Sequence, residues 1–165
     1  MQHFQAIGHA MLLPAEAGVF AAEDGQRYTL GKLTMTFKRS GSSDPCKYSV
    51  CRAANEPGWT GARLHKHISE EWHVQLEGVC SGQLGDSGIV LHPGDMVYIP
   101  PGVAHGFHPA KSAGVQLLIS APPGLFERFI ADTQAFEAGE RPGDSFDAIL
   151  QRSGIEFLAP SWPQT

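Results

Sequence analysis

"LHKHISEEWHVQLEG", residues Leu64 to Gly78, places three histidines and two adjacent glutamates within nine positions. In a β-strand, residues two apart share a face, so His65 and His67 direct two imidazoles to the same side, where they can converge on one ion. A turn through Ile68 and Ser69 would bring a carboxylate, Glu70 or Glu71, beside them at the start of the next strand. Downstream, "GDMVYIPPGVAHGFH", Gly94 to His108, offers His105 just past Pro100-Pro101-Gly102, in position to add a fourth donor from a neighbouring strand. Three nitrogens and one carboxylate oxygen suit one divalent transition metal: Fe(II), Mn(II), Ni(II), Cu(II) or Zn(II).

Working outward, 19 Gly and 12 Pro cut the chain into short pieces rich in Val, Ile, Thr, Tyr and Phe. Regular short strands with turn signals predict an all-β barrel or sandwich. "RYTLGKLTMTF" and "KYSVCRA" alternate with a period near two across the turn-rich "RSGSSDP". "GARLHKH", "EWHVQLEGVCSGQL", "GIVLHPG", "DMVYIPPG", "HGFH" and "VQLLISA" follow as further strands. After Pro122-Pro123-Gly124 the period changes. "LFERFIADTQAF" spaces Leu125, Phe126, Phe129 and Ile130 as an amphipathic helix, and "DSFDAILQRSG" reads as a second helix, capped by Asp144 or Ser145 and ended by Gly154. "IEFLAPSW" then packs back as an extended piece. The expected organisation is one domain over residues 1–165, with a barrel core over about 28–121 and a helical segment over about 122–165.

Composition excludes several classes of function. With 12 Lys+Arg against 17 Asp+Glu, a net charge of −5 and scattered basic residues, the chain lacks the footprint of a nucleic-acid binder. No apolar run approaches a membrane span, and the N-terminal "MQHFQAIGHAMLLPAEAG" lacks a basic leader followed by a long apolar stretch, so a cytoplasmic, membrane-free protein is expected. Cys46, Cys51 and Cys80 are an odd number without a C-x2-C pair, which fits buried thiols in a reducing compartment.

The histidine-rich stretch and "PPGVAH" resemble the two motifs of the cupin superfamily. The first runs Gly, five residues, His-x-His, three or four residues, Glu, six residues, Gly; His65, His67, Glu71 and Gly78 follow it. The second runs Gly, five residues, Pro-x-Gly, two residues, His; Gly94, Pro100, Gly102 and His105 follow it, with fifteen residues between Gly78 and Gly94. By this spacing the resemblance assigns the carboxylate ligand to Glu71 and leaves Glu70 as a solvated neighbour. Two positions depart from the pattern: Trp59 stands where the first glycine is expected, and Pro109 where an asparagine often follows the last histidine. More broadly, the chain is similar to single-domain cupins related to quercetin 2,3-dioxygenase. That resemblance implies a jelly-roll antiparallel β-barrel with C-terminal helices, a metal held by His65, His67, Glu71 and His105 with Fe(II) favoured, and a homodimer.

Strand alternation nominates neighbours of the metal. If Glu71 points inward, so do His73 and Gln75, and Arg63 shares the inward face of His65 and His67. His73 is a candidate base for an acidic substrate hydroxyl, or a partner orienting Glu71; a buried histidine bonded for structure alone is the plainer alternative. Arg63 can pair with a substrate carboxylate or enolate, unless it reaches solvent at the strand end. Phe107, Met96 and Tyr98 are candidates to line the pocket, though aromatic residues in a small barrel more often fill its core. His92, His108, His3 and His9 are expected to be exposed. The leading functional expectation is an oxygenase acting on an enolisable, phenolic or flavonol-like small molecule. An O2-independent cyclase, isomerase or lyase, and a non-catalytic small-molecule-binding cupin, are the alternatives.

Overall fold

The computed structural model describes residues 18–39, 48–108, 110–122 and 124–158. Cys46, His3, His9, Pro109, most of the "RSGSSDP" turn and the last residues of "IEFLAPSW" lie outside them. Among the described residues ten strands precede the helices: β1 Gln26–Leu30, β2 Leu33–Arg39, β3 Ser49–Asn55, β4 Ala62–His67, β5 Glu70–Glu77, β6 Cys80–Leu84, β7 Ser87–Leu91, β8 Met96–Ile99, β9 His105–Phe107 and β10 Gly114–Ala121. Helices α1 Leu125–Glu137 and α2 Phe146–Ser153 follow, and β11 Ile155–Phe157 comes after them. The strands form two antiparallel sheets, ordered β1-β2-β3-β10-β5-β8 and β11-β4-β9-β6-β7. This is the expected all-β barrel of the cupin type, with both helices after the last long strand.

Packing follows from the alternation within each strand. Met35, Phe37, Cys51, Ala53 and Leu118 point inward from the first sheet and meet Ile130 of α1, with Phe126 and Phe129 packed against them. Leu91, Val97, Ile99 and Phe107 form a second buried cluster. Burying a side chain the size of Phe37 removes enough apolar surface from water to contribute roughly 2–3 kcal/mol. Gly78 turns β5 toward β6 with φ 74°, and a Cβ there would sit 2.5 Å from the Ala113 carbonyl oxygen, so the tight turn excludes any side chain.

The C-terminal elements are tied down by polar contacts. Ser145 caps α2, its hydroxyl accepting from Ala148 N at 3.2 Å, and Gly154 ends it in the left-handed conformation. Asp132 of α1 is buried, and its carboxylate accepts from Arg152 Nε of α2 at 2.8 Å and pairs with Arg141 at 2.6 Å. α2 then leads into β11, which pairs with β4 in the register Ile155↔His67 and Phe157↔His65. Among the described residues no helix is long and apolar enough to cross a membrane.

The register across β5 and β8 corrects two expectations. Glu71 faces Ile99 and His73 faces Val97, and residues opposite one another share a face, so Val97 and Ile99 point inward. Met96 and Tyr98 therefore stand on the outer surface, 58% and 40% exposed, and do not line the pocket. Tyr98 instead stacks on Trp72 with ring centroids 4.3 Å apart. We expect Phe37→Ala to cost about 3–5 kcal/mol of unfolding free energy in urea titrations and Met96→Ala to stay within about 0.5 kcal/mol; equal losses would show that the inward and outward sets are misassigned.

Candidate metal centre

Three histidines converge because their strands bring them to one end of the barrel. β4 supplies His65 and His67 on one face, and β9, paired to β4 with His65 opposite His105, supplies the third. The ring centroids are 5.5 Å apart for His65–His67, 4.2 Å for His65–His105 and 4.7 Å for His67–His105. Each ring is oriented by its own backbone: Nδ1–H donates to a carbonyl two residues away, at 2.7 Å to Arg63, 2.8 Å to Ser69 and 2.9 Å to Val103. With Nδ1 committed, Nε2 of each neutral imidazole carries the lone pair, the arrangement that such backbone contacts enforce on metal-binding histidines. One donor atom from each of the three lies within 4.8 Å of the others, so this group could hold a metal ion.

Glu71 enters from β5, 3% exposed, with Oε1 3.4 Å from His67 Nε2 and Oε2 3.9 Å from His105 Nε2. His67 Nε2 is buried and has no hydrogen-bond partner of acceptable geometry. An orphaned buried nitrogen is costly unless something fills it, and a divalent cation facing three imidazole nitrogens and a carboxylate meets that need. The donor set therefore fits the metal that the cupin fold implies.

Electrostatics point the same way. Burial pushes the His105 imidazole down to about 3, with the neighbouring His65 adding to the effect, and burial also lowers His65. Both rings are neutral near pH 7, the state that coordinates metal. Burial alone would raise Glu71 and lower His67, yet the close contact of Glu71 with His67 and its hydrogen bond to His73 reverse both shifts: Glu71 lies well below the usual carboxylate range and His67 is raised. The buried carboxylate thus creates a position that favours positive charge beside His67.

His73 Nε2 lies 3.0 Å from Glu71 Oε2, and both side chains are buried. Its orientation follows from a chain of donors anchored on the backbone. Gln75 Nε2 donates to the Glu77 carbonyl at 2.7 Å, and Gln116 Nε2 donates to Gln75 Oε1 at 2.8 Å. Gln116 Oε1, left as an acceptor, faces His73 Nδ1 at 3.3 Å, so that nitrogen is the donor. Gln116 of β10 was not nominated from the sequence. The available signal was a lone glutamine in the largely apolar "GVQLLISA", but its partner was set by the pairing of β10 with β5.

A cavity of about 560 Å³ opens onto these groups, lined by His65, Glu71, His73, His105, Gln116 and Phe107 at the polar end. Phe107 also packs on His73, with centroids 4.9 Å apart. Gln75 does not line the cavity; both ends of its amide are occupied, by Glu77 and Gln116, so it stands behind the site as a support instead of a substrate contact. Arg63 lines the cavity, with its guanidinium carbon 4.6 Å from the centre of the Phe157 ring. Glu70 faces outward, where its Oε2 accepts from the Tyr98 hydroxyl at 3.0 Å. His92 is exposed beside Asp95, whereas His108 is half-buried with Ser81 Oγ 3.5 Å from its Nδ1, contrary to the expected exposure.

Residues 47–157 match the family described as the AraC-like ligand binding domain. Among solved structures, the chain is similar to an RmlC-like cupin from Shewanella frigidimarina, with 17% identity over 65% of this chain and 92% of that one and a TM-score of 0.54. It is similar to the polyketide cyclase RemF from Streptomyces resistomycificus, with 19% identity over 65% and 80% of the two chains and a TM-score of 0.56. The match to a structure of the DMSP lyases RdDddP and RnDddQII has 18% identity and a TM-score of 0.50, covers 57% of this chain, and spans about half, 49%, of that chain's length. No curated protein matches the chain.

Adding Zn(II) or Ni(II) to chelator-treated protein is expected to raise Tm by several degrees through mass action on the folded state. His105→Ala and His67→Ala should each abolish that rise. An unchanged Tm in the unmutated protein, together with no bound metal by elemental analysis, would sink the metal assignment.

Proposed function

The chain belongs to the AraC-like ligand binding domain family, and with it to the cupin superfamily, and on that premise we propose a metal-dependent enzyme acting on an enolisable or phenolic small molecule. His65, His67, Glu71 and His105 are its metal ligands in this reading, and Glu71 and His73 handle the reacting proton. The observation that carries it is the buried 3.0 Å contact between His73 Nε2 and Glu71 Oε2, beside the three-histidine group and facing the cavity.

Bound Fe(II), or another of the divalent ions these donors accept, would supply Lewis-acid polarisation of a ligand oxygen. The chain's own residues do the rest. Gln116 fixes the His73 ring by accepting from Nδ1–H, which leaves Nε2 to exchange a proton. A nitrogen and a carboxylate oxygen at 3.0 Å hold one proton between them, so the pair can give that proton to one substrate atom and then take one back from a substrate hydroxyl or α-carbon. The apolar part of the cavity lining, Met35, Leu118, Phe126 and Phe129, favours an apolar ligand body beside the acid–base pair.

Proton transfer of this kind serves O2-independent chemistry directly, as in a cyclase, isomerase or lyase, and we take that as the leading reading. The polyketide cyclase and DMSP lyases of similar fold support it. The quercetinase-like oxygenase is the second reading: it shares the proton abstraction and adds O2, a small apolar molecule that the apolar cavity would admit. The exposed apolar strip of Leu76, Met96 and Tyr98 on the outer sheet supports the homodimer as part of the same proposal.

Metal-loaded protein should turn over at least one member of a panel of diketones, hydroxyaromatics and flavonols under strict anaerobiosis. His73→Ala should lower kcat by about 10²–10⁴-fold with metal content unchanged. Turnover that requires and consumes O2 would move the assignment to the oxygenase, and turnover in neither atmosphere would leave a ligand-binding cupin without catalysis.

A further inference from the structure

The cavity has a second polar feature on β4, two residues before His65. Arg63 lines it from β4, seated over the Phe157 ring, and among the described residues its guanidinium has no hydrogen bond and no carboxylate partner. Lys32 also lines the cavity, its Nζ donating only to the Pro57 carbonyl at 2.8 Å. Glu137 lines the cavity too but is within ion-pair distance of neither cation. An arginine seated over an aromatic ring loses little freedom on pairing, and the partner geometry that matches its planar donors is a carboxylate.

Much of the remaining lining is apolar. Met35 and Leu118 come from the sheet, Phe126 and Phe129 from α1, and Trp59 and Phe157 flank the opening strands. Of the other polar groups in the lining, Gln116 is bonded to Gln75 and His73 and the Thr133 hydroxyl is buried, which leaves Thr60, Lys32 and Glu137. A polyhydroxylated ligand would leave hydroxyls unpaired against the apolar lining, at a cost for each buried group. An apolar body fits it.

We propose that the substrate is an amphipathic organic acid, with an apolar or aromatic body, an oxygen function at the metal-binding end and a carboxylate paired with Arg63. This rests on reading the cavity as the substrate site, and it makes Arg63 the residue that determines specificity for the acid.

The test is titration calorimetry of the full chain, as purified and after chelator treatment, with three probes: 6-hydroxy-2-naphthoate, 6-hydroxy-2-naphthamide and galacturonate. The naphthoate should bind about tenfold or more tighter than its amide in both preparations, as expected for a charge-assisted, two-point contact. Arg63→Gln should make acid and amide bind alike while leaving the amide affinity unchanged, and Arg63→Lys should keep part of the preference. Galacturonate should show no measurable binding. Equal affinity for acid and amide in the unmutated protein, an Arg63→Gln variant that weakens both probes equally, failure of both naphthalene probes to bind, or tight galacturonate binding would each overturn the proposal. Failure of the metal reading is distinguishable: it appears as no metal in the protein as purified and no uptake of added Zn(II) or Ni(II), with the acid preference intact.

Discussion

A carboxylate buried inside a β-barrel is the constraint around which this molecule is built. Glu71 is 3% exposed, and an ionised carboxylate so placed is tolerated only if positive charge or hydrogen-bond donors meet it. His67, His73 and His105 all place Nε2 within 3.0–3.9 Å of its oxygens. Those imidazoles are in turn aimed by backbone carbonyls or by Gln116, so the orientation of one side chain is transmitted through two layers of contacts to the strands themselves. β5 accordingly carries an inverted pattern: Glu71, His73 and Gln75 are buried while Trp72, Val74 and Leu76 face outward. Such an inversion sacrifices apolar burial, and the barrel recovers it from α1, whose Ile130, Phe126 and Phe129 join the core of the first sheet.

Much of this was legible in the chain because it depends on short-range geometry. The period of two along "LHKH" and "EEWHVQ" decides which side chains share a face, and the turn at Gly78 and the Pro100-Pro101-Gly102 segment set where strands begin and end. The inward placement of His65, His67, Glu71, His73 and His105 followed from those local features. The two helices were equally local, with the Ser145 cap and the Gly154 terminus visible as residue types.

What was not legible depends on pairing between distant strands. Met96 and Tyr98 alternate correctly but face outward, because only the register Glu71↔Ile99 tells which of the two faces of β8 is inside. Gln75 points inward as expected, yet its amide is consumed by Gln116, a partner 41 positions away that becomes a neighbour only through the β5–β10 pairing. The aromatic wall from Phe126, Phe129 and Phe157 was hidden for the same reason: helical spacing predicts an apolar face but does not say which chamber it covers.

The pairing of β11 with β4 reaches beyond geometry into the order in which the site can be assembled. β4 carries two of the three histidines, and one of its edges stays unpaired until residues 155–157 return to it after two helices. Phe157 then settles opposite His65, with its ring 6.0 Å from the imidazole. During synthesis the histidines emerge roughly ninety residues before the strand that completes their sheet, and such a long loop closes late. A nascent chain therefore displays its imidazoles on an open strand edge before it can enclose them, and metal captured early would meet a looser, less selective site than the one the finished barrel presents.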